Sequence, residues 1–315
     1  MGGAGQHDAA KRGVLYVVAT PIGNLGDMTT RAREVLGGVD LVAAEDTRRT
    51  GNLLARLGIT APRMVSLFEG NERERSADLV GRLRRGTNVA LVSDAGMPGV
   101  SDPGFRLVRA CAEQGIEVRV VPGPSSVLAA LAVSGLPTDR FVFEGFLPRK
   151  ASDRRARLRA LAGDARTLVL FESPRRVIAT LGEIAEAMGE RAVAMCRELT
   201  KVHEEVLRGP ASEVMDRLAA REHIRGEIVL VVGGAGEPGR VDVDDLLDEA
   251  AALVEGGMRK REAAAELARR HGVPANEIYR ALVARDRGGL GPTWTRTPRT
   301  SASGGRHSGS STSRV

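Results

Sequence analysis

From residue 13 onward, short apolar runs alternate with amphipathic stretches. "VLYVVAT" (14–20), "VDLVAAE" (39–45), "RMVSL" (63–67), "NVALVS" (88–93) and "EVRVV" (117–121) read as short strands. Their apolar character suits strands covered on both faces. Between them "MTTRAREVL", "TRRTGNLLARLG", "NERERSADLVGRLRRG" and "PGFRLVRACAEQG" carry helical patterns. Strand and helix in strict alternation predict a parallel sheet with helices on both faces. "PGPSSVLAALAVSGLP" (122–137) adds a small-residue helix, started by Pro124 and Ser125 and stopped by Gly135 and Pro137.

After Pro137 the rhythm changes. "RFVFEGF", "RTLVLFE", "RAVAMCREL", "HEEVLRG" and "EIVLVVGG" read as strands, with helices at 151–162, 175–188 and 211–220. "CRELTKVHEEVLRG" reads as two strands with no helix between them, so the second sheet is expected to be mixed. Residues 244–286 form a helical unit in which Ala268, Gly272, Ile278 and Ala281 have helix-turn-helix spacing, with Gly272 in the turn; a plain helical hairpin has the same spacing. The expected divisions are a disordered N-terminus (1–12), an α/β domain (13–137), a second α/β domain with a mixed sheet (138–236), the helical unit (240–286) and a disordered basic tail (287–315). "GAGEPG" (234–239) matches a dinucleotide-loop pattern by spacing, but Pro238 sits inside the turn and no helix follows directly. It reads as a linker.

Charge changes the picture less than its total suggests. Of a formal +6, the last 29 residues contribute five arginines and no acid, so the body is close to neutral and any nucleic-acid surface must be a local patch. Such a patch is visible in "PRKASDRRARLRA" (148–160), where Asp153 is the only acid; Arg149, Lys150, Arg154, Arg155 and Arg157 are its candidate phosphate ligands, joined by Arg175 and Arg176 after a strand end. With aromatics at 3% of the chain, stacking on protein rings is not expected to dominate recognition. Two isolated cysteines give no metal knuckle and suggest a reducing, cytoplasmic compartment. No apolar run approaches the ~20 residues of a membrane span, and no membrane association or metal site is expected.

Candidate chemistry gathers in "SDAGMPGVSDPG" (93–104). Glycines and prolines make this a shaped loop after a strand, longer than the about 2–6 residues usual in such connections. It lies at the carboxyl edge of a parallel sheet, where ligands bind. Around it stand ionisable residues at strand ends, Glu45, Asp46, Glu172, Glu198 and Lys201, each a candidate for proton transfer, with no spacing that selects one.

These motifs do not stand alone. "YVVATPIGNLGDMTTRA" (16–32), "AAEDTRRT" (43–50), "SDAGMPGVSDPG", "VVPGPSSVLAAL" (120–131), "DRFVFEGFLPRK" (139–150), "FESPRR" (171–176), "RELTK" (197–201) and "GEIVLVV" (226–232) occur in that order. Together they resemble the bacterial ribosomal RNA small-subunit methyltransferase I family over roughly residues 13–286. Members are S-adenosylmethionine-dependent cytidine 2′-O-methyltransferases of the tetrapyrrole-methylase fold. The resemblance implies two α/β domains with a cofactor cleft between them, a C-terminal helical unit, small-subunit ribosomal RNA as partner, within the small ribosomal subunit, and a homodimer. It places the cofactor on Pro21, Asp94, Gly96, Met97, Pro98, Val100, Ser125, Ser126, Phe171 and Glu172. The serines can equally serve as helix caps. Met97 falls where a corrin or haem-pathway methylase would carry an aspartate. Two other readings remain at this point: a methylase of a small tetrapyrrole, and a non-enzymatic nucleic-acid-binding protein. Cofactor binding separates the last from both enzymes, and methyl acceptance by RNA separates the enzymes.

Overall fold

A computed structural model describes residues 12–60, 62–236, 243–271 and 274–286. The expected disorder of residues 1–11 and 287–315, and Gly272 in its turn, lie outside them. Arg12 does not: its guanidinium donates to the Gln114 and Gly115 carbonyls, which ties it to the folded body.

The first sheet is built from β1 (Leu15–Val18), β2 (Leu41–Ala44), β3 (Arg63–Ser66), β4 (Val89–Val92) and β5 (Val118–Val121). They pair in parallel in the order β3-β2-β4-β1-β5. Alternation along each strand sends side chains to opposite faces. Leu41, Ala43, Val89 and Leu91 pack against α3 (Glu72–Arg84) and α4 (Phe105–Glu113). Val42, Ala44, Ala90 and Val92 pack against α1 (Thr30–Gly38) and α2 (Thr47–Arg56). Double coverage explains why these strands read as unbroken apolar runs.

The second sheet contains β6 (Phe141–Phe146), β7 (Thr167–Glu172), β8 (Ala192–Arg197), β9 (Glu205–Pro210) and β10 (Ile228–Val232), in the order β6-β7-β10-β8-β9. Only β6 and β7 are parallel; the other pairings are antiparallel, so the sheet is mixed as the sequence predicts. One face is covered by α6 (Ala151–Leu161), α7 (Val177–Met188) and α8 (Ala211–Ala219). Its other face is covered by α5 (Ser126–Ser134), through Val127, Ala130 and Leu131 on Val169, Ala194, Val229 and Val231.

That packing shifts the expected boundary. Helix α5 precedes Pro137 in sequence but belongs to the second sheet in space. The chain passes from one layer to the other at Pro122–Pro124. Loops from the first sheet therefore face the uncovered end of the second, and Ile22 joins the α5 core.

A separate compact unit follows. Helices α9 (Val243–Glu255), α10 (Lys260–His271) and α11 (Ala275–Asp286) enclose Leu246, Ala250, Ala264, Leu267, Ile278 and Leu282. Ile278 is fully buried and Ala268 partly so, which places two of the helix-turn-helix positions in this small core. No helix among the described residues is long and apolar enough to cross a membrane.

Candidate active site

The loop after β4 folds back on the loop after β1. Thr20 and Gly96 exchange both backbone hydrogen bonds, at 2.9 and 3.0 Å. Gly96 reaches this pairing with φ +82°, a conformation costly to side chains with a Cβ. At the far end of the loop, Glu72 of α3 accepts from the Gly104 and Arg106 N–H groups, both at 2.9 Å, and so fixes the start of α4. Both ends of 93–104 are thus held by groups remote in sequence.

This loop walls a cavity of about 350 Å³. The opposite wall is the end of the second sheet: Phe171 and Glu172 of β7, Cys196 of β8, and Gly226 to Val229 entering β10. Ser125 and Ser126 close a third side. Ser125 also caps α5, its hydroxyl accepting from the Leu128 N–H, so the cap and cavity roles coincide. Of the expected cofactor residues, Gly96, Met97, Val100, Ser125, Ser126, Phe171 and Glu172 meet here. Pro21 and Asp94 do not; they line a smaller neighbouring hollow with Arg49 and Leu53. Pro98 lines neither.

The candidate proton-transfer groups separate by their partners. Glu172 has a fully buried side chain. One oxygen accepts from the Ser173 N–H at 2.6 Å and pairs with Arg176 at 2.8 Å; the other accepts from the Thr180 hydroxyl at 2.6 Å. It pins the turn into α7, and both of its oxygens are engaged there. Asp46 caps α2 through the Arg48 and Arg49 N–H groups, and Arg48 holds its carboxyl below the usual range. Burial works to raise Glu198, but the hydrogen bonds from Lys201 and the Glu227 N–H bring it below its ordinary value. Burial likewise opposes the Lys201 charge, but Glu198 and Glu227 hold it protonated. The Lys201 stem lies against Gly23, where a Cβ would fall 2.4 Å from its Cγ. Lys201 therefore ties the turn after β8 to the loop after β1, and is a structural cation rather than a base.

Glu45 and Asp94 form a different group. The Asp94 N–H donates to Glu45 Oε2 at 3.2 Å, while Arg49 pairs with Asp94 at 2.6 Å. Burial raises the Glu45 carboxyl. Beside them stands Asp102, a further residue of the 93–104 loop, whose role no local pattern signals. Asp102 lines the cavity. Burial first, and then the Glu45 carboxylate, push it up to about 6, against a hydrogen bond from Ser93. Its chain neighbour Ser101 has φ +61°. Cys196 is also on the wall, but burial pushes its thiol up to about 11, so it stays neutral.

The basic segment also divides. Arg149, Lys150 and Arg175 are exposed. Arg155 is half-exposed and 4.0 Å from Glu183. Arg157 is bound by Glu144 through Nε and Nη2 of its guanidinium. Arg176 is committed to Glu172. Arg154 corrects the expectation outright. It is 5% exposed, and its guanidinium pairs with Glu183 of α7 at 2.5 and 2.8 Å. A cation enclosed this way holds α6 on α7 and cannot reach a phosphate. Its spacing with Leu158 and Leu161, both buried, was the available signal.

Among the described residues, no group of three or more His, Cys, Asp or Glu could hold a metal ion.

Residues 14–215 match the family Tetrapyrrole (Corrin/Porphyrin) Methylases. The chain is 46% identical over 270 residues to Ribosomal RNA small subunit methyltransferase I of Synechocystis sp., covering 85% of this chain and 96% of that one. It is 46% identical over 295 residues to the protein of the same name in Micromonospora olivasterospora, covering 91% and 92%. Among solved structures, diphthine synthase superposes with a TM-score of 0.52 at 16% identity, over 70% of this chain and 89% of that one. The methyltransferase CobJ does so with a TM-score of 0.51 at 21% identity, over 71% and 95%. These two likenesses concern the fold alone. With matched motifs, fold and near full-length identity in agreement, the chain belongs to the ribosomal RNA small subunit methyltransferase I family, within the tetrapyrrole methylases.

Proposed function

We propose that this protein methylates a cytidine ribose 2′-hydroxyl in small-subunit ribosomal RNA, with S-adenosylmethionine as methyl donor. The observation that carries the reading is the wall of the cavity. Asp102, Glu172 and Glu227 line it; Arg176 and Lys201 pair with the last two from outside the wall, which leaves the Asp102 charge, and among the described residues no lysine, arginine or histidine lines it. A cationic donor suits that wall. Apolar surface from Ile22, Met97, Val127 and Ile228, the backbone of Gly96 and the hydroxyls of Ser125 and Ser126 fit its remaining parts. When bound, S-adenosylmethionine supplies a methyl group on a sulfonium centre. Asp102 takes up the proton that the ribose hydroxyl sheds on methylation. It is ionised at neutral pH, yet basic enough to hold a proton, which suits a general base. Alignment between the two sheets supplies much of the remaining acceleration. Arg149, Lys150, Arg155 and Arg175 are the cations left to hold phosphates near the cleft.

The test is mass mapping of ribose methylation after incubating the protein with small subunits and isotopically labelled S-adenosylmethionine. One 2′-O-methylcytidine should appear in the small-subunit RNA. Label found only on a base, or on no RNA, would refute the assignment. The same assay on naked RNA decides whether the assembled subunit is needed. A homodimer belongs to this reading. Val120 and Leu128, each more than half exposed on β5 and α5, are apolar surface it could cover, and light scattering reads it directly.

Gly96→Val follows from the loop geometry. At φ +82° a β-branched residue is strained by about 1–3 kcal/mol. A Cβ already touches Ile22 at 3.5 Å, so the added methyls press into the wall. The variant should stay folded with a lower Tm and bind S-adenosylmethionine at least about tenfold more weakly. Unchanged calorimetric affinity in a folded variant would remove this loop from the cofactor wall.

A further inference from the structure

Strand β6 carries an irregularity that re-aims one side chain. Its register against β7 runs evenly from Phe141↔Thr167 to Phe143↔Val169, then shifts to Gly145↔Leu170 and Phe146↔Phe171. Glu144 is the extra residue, drawn aside by its bidentate pair with Arg157. In an unshifted strand, position 146 would stand opposite Glu172, on the face that carries Leu168 and Leu170 and is covered by α6–α8. The extra residue moves Phe146 to the other face, because side chains alternate with period two. There it meets Phe171 edge-on, with ring centroids 5.5 Å apart, and Phe171 in turn meets Phe143 at 5.0 Å. Gly145 completes the turn with φ +63°, and a Cβ there would fall 2.9 Å from the Ser101 hydroxyl. The tip of the 93–104 loop therefore closes against this point.

The result is a braced aromatic ring at the mouth of the cavity, 61% exposed beside the 42% exposed Val100. Three and four residues further on, Arg149 and Lys150 are also exposed. A ring next to cations is how proteins hold an unstacked nucleotide: the base lies on the ring and its phosphates on the cations. We propose that Phe146 is the stacking platform for the target nucleobase, presenting its ribose to the cavity. This inference rests on the RNA methylation reading. Phe171, deeper and partly buried, is the ring placed to meet the methyl donor, whereas Phe146 meets what arrives from solvent.

The test compares the full chain with Phe146→Ala, Phe146→Leu and Phe146→Trp, using Phe141→Leu at the other end of the same strand as control. Fluorescence anisotropy reads oligocytidine RNA binding across a potassium chloride series, with S-adenosylhomocysteine saturating. Calorimetry reads S-adenosylhomocysteine affinity. Phe146→Ala and Phe146→Leu should weaken RNA binding by about 10- to 100-fold, the range of lost base–aromatic stacking. The salt slope should stay unchanged, because a ring releases no counterions. Phe146→Trp should restore binding, Phe141→Leu should leave it intact, and cofactor affinity should stay within about twofold. RNA affinity retained in Phe146→Leu overturns the proposal. So does a loss that Trp does not restore, or a loss confined to S-adenosylhomocysteine. Failure of the wild-type protein to methylate small subunits would instead mark failure of the RNA reading, and this inference would fall with it; if the wild-type protein methylates small subunits but does not bind oligocytidine, the same variants are compared by their affinity for small subunits, with the same outcomes deciding.

Discussion

Asp102→Asn should lower methyl transfer by about 10²- to 10⁴-fold, the usual contribution of a positioned general base, and at the same time stabilise the fold. The two effects share a cause. Burial and the Glu45 and Asp94 carboxylates raise this group to about 6 in the folded protein, from an ordinary value near 3.8. Between those values the folded state binds more protons than the unfolded state, so stability falls as pH rises through that window. At neutral pH the whole cost is present. Two pKa units correspond to about 3 kcal/mol, and the half-open position reduces this to on the order of 1 kcal/mol. Asparagine removes the charge and hence the cost. The variant should therefore have a higher Tm at pH 7 than the parent, with the difference vanishing near pH 4. In the parent, turnover should fall as pH drops through about 6 or somewhat lower, since a bound cation favours the ionised form. Asparagine should lose that limb from its residual activity, and S-adenosylmethionine affinity should fall, because the favour between cation and carboxylate is reciprocal, but by far less than turnover. A variant that turns over normally ends the base assignment. One that loses cofactor affinity in proportion to activity makes Asp102 an anchor for the donor instead.

Arg154→Ala should cost about 3–5 kcal/mol, the penalty for leaving one member of a buried pair alone. Glu183 is 11% exposed at its side chain and would keep an uncompensated charge between α6 and α7. The drop in Tm should be on the order of 10 °C. Arg155→Ala, one residue along, should change stability by less than about 0.5 kcal/mol, because Arg155 is 43% exposed and sits 4.0 Å from the same carboxylate. Replacing the pair together, as Arg154→Met with Glu183→Leu, should recover most of the loss, since apolar side chains fill the site without a charge to desolvate. Equal Tm values for the two single variants would mean that the pair at Arg154 is worth no more than a surface contact. The comparison matters for the RNA path, since a charge-reversal set that includes Arg154 would report unfolding rather than phosphate binding. Arg149, Lys150 and Arg155 are the set to reverse.

By itself, the sequence determined what depends on local pattern. Strands buried on both faces have apolar residues at every position, so β2 and β4 were visible as unbroken runs, and the alternation of all five strand patterns with helices predicted a parallel sheet. The hairpin of β8 and β9 was visible because too few residues separate the runs to hold a helix. The loop 93–104 was visible because its glycines and prolines fit no regular element. The order of the motifs carried the family. What depends on partners distant in sequence was decided only by the tertiary structure. Helix α5 joins the second sheet because its apolar face matches that sheet, which no local signal records. Arg154 and Arg155 have the same chemistry, but Arg154 lies on the buried face of α6 and pairs with Glu183 of another helix at 2.5 Å, whereas Arg155 stays half-exposed at 4.0 Å from the same carboxylate. Glu172 loses its candidacy as a base to Arg176 and Thr180, whose approach requires the turn into α7 to be formed. Asp102 gains its basicity from burial in the cavity wall first, and then from Glu45 and Asp94, on loops that meet because β2 and β4 are neighbours. Phe146 faces the cavity because a single extra residue reverses the alternation of β6. Local pattern fixes which elements form and in what order. The dielectric, the charges and the faces that give side chains their roles arise only when those elements pack.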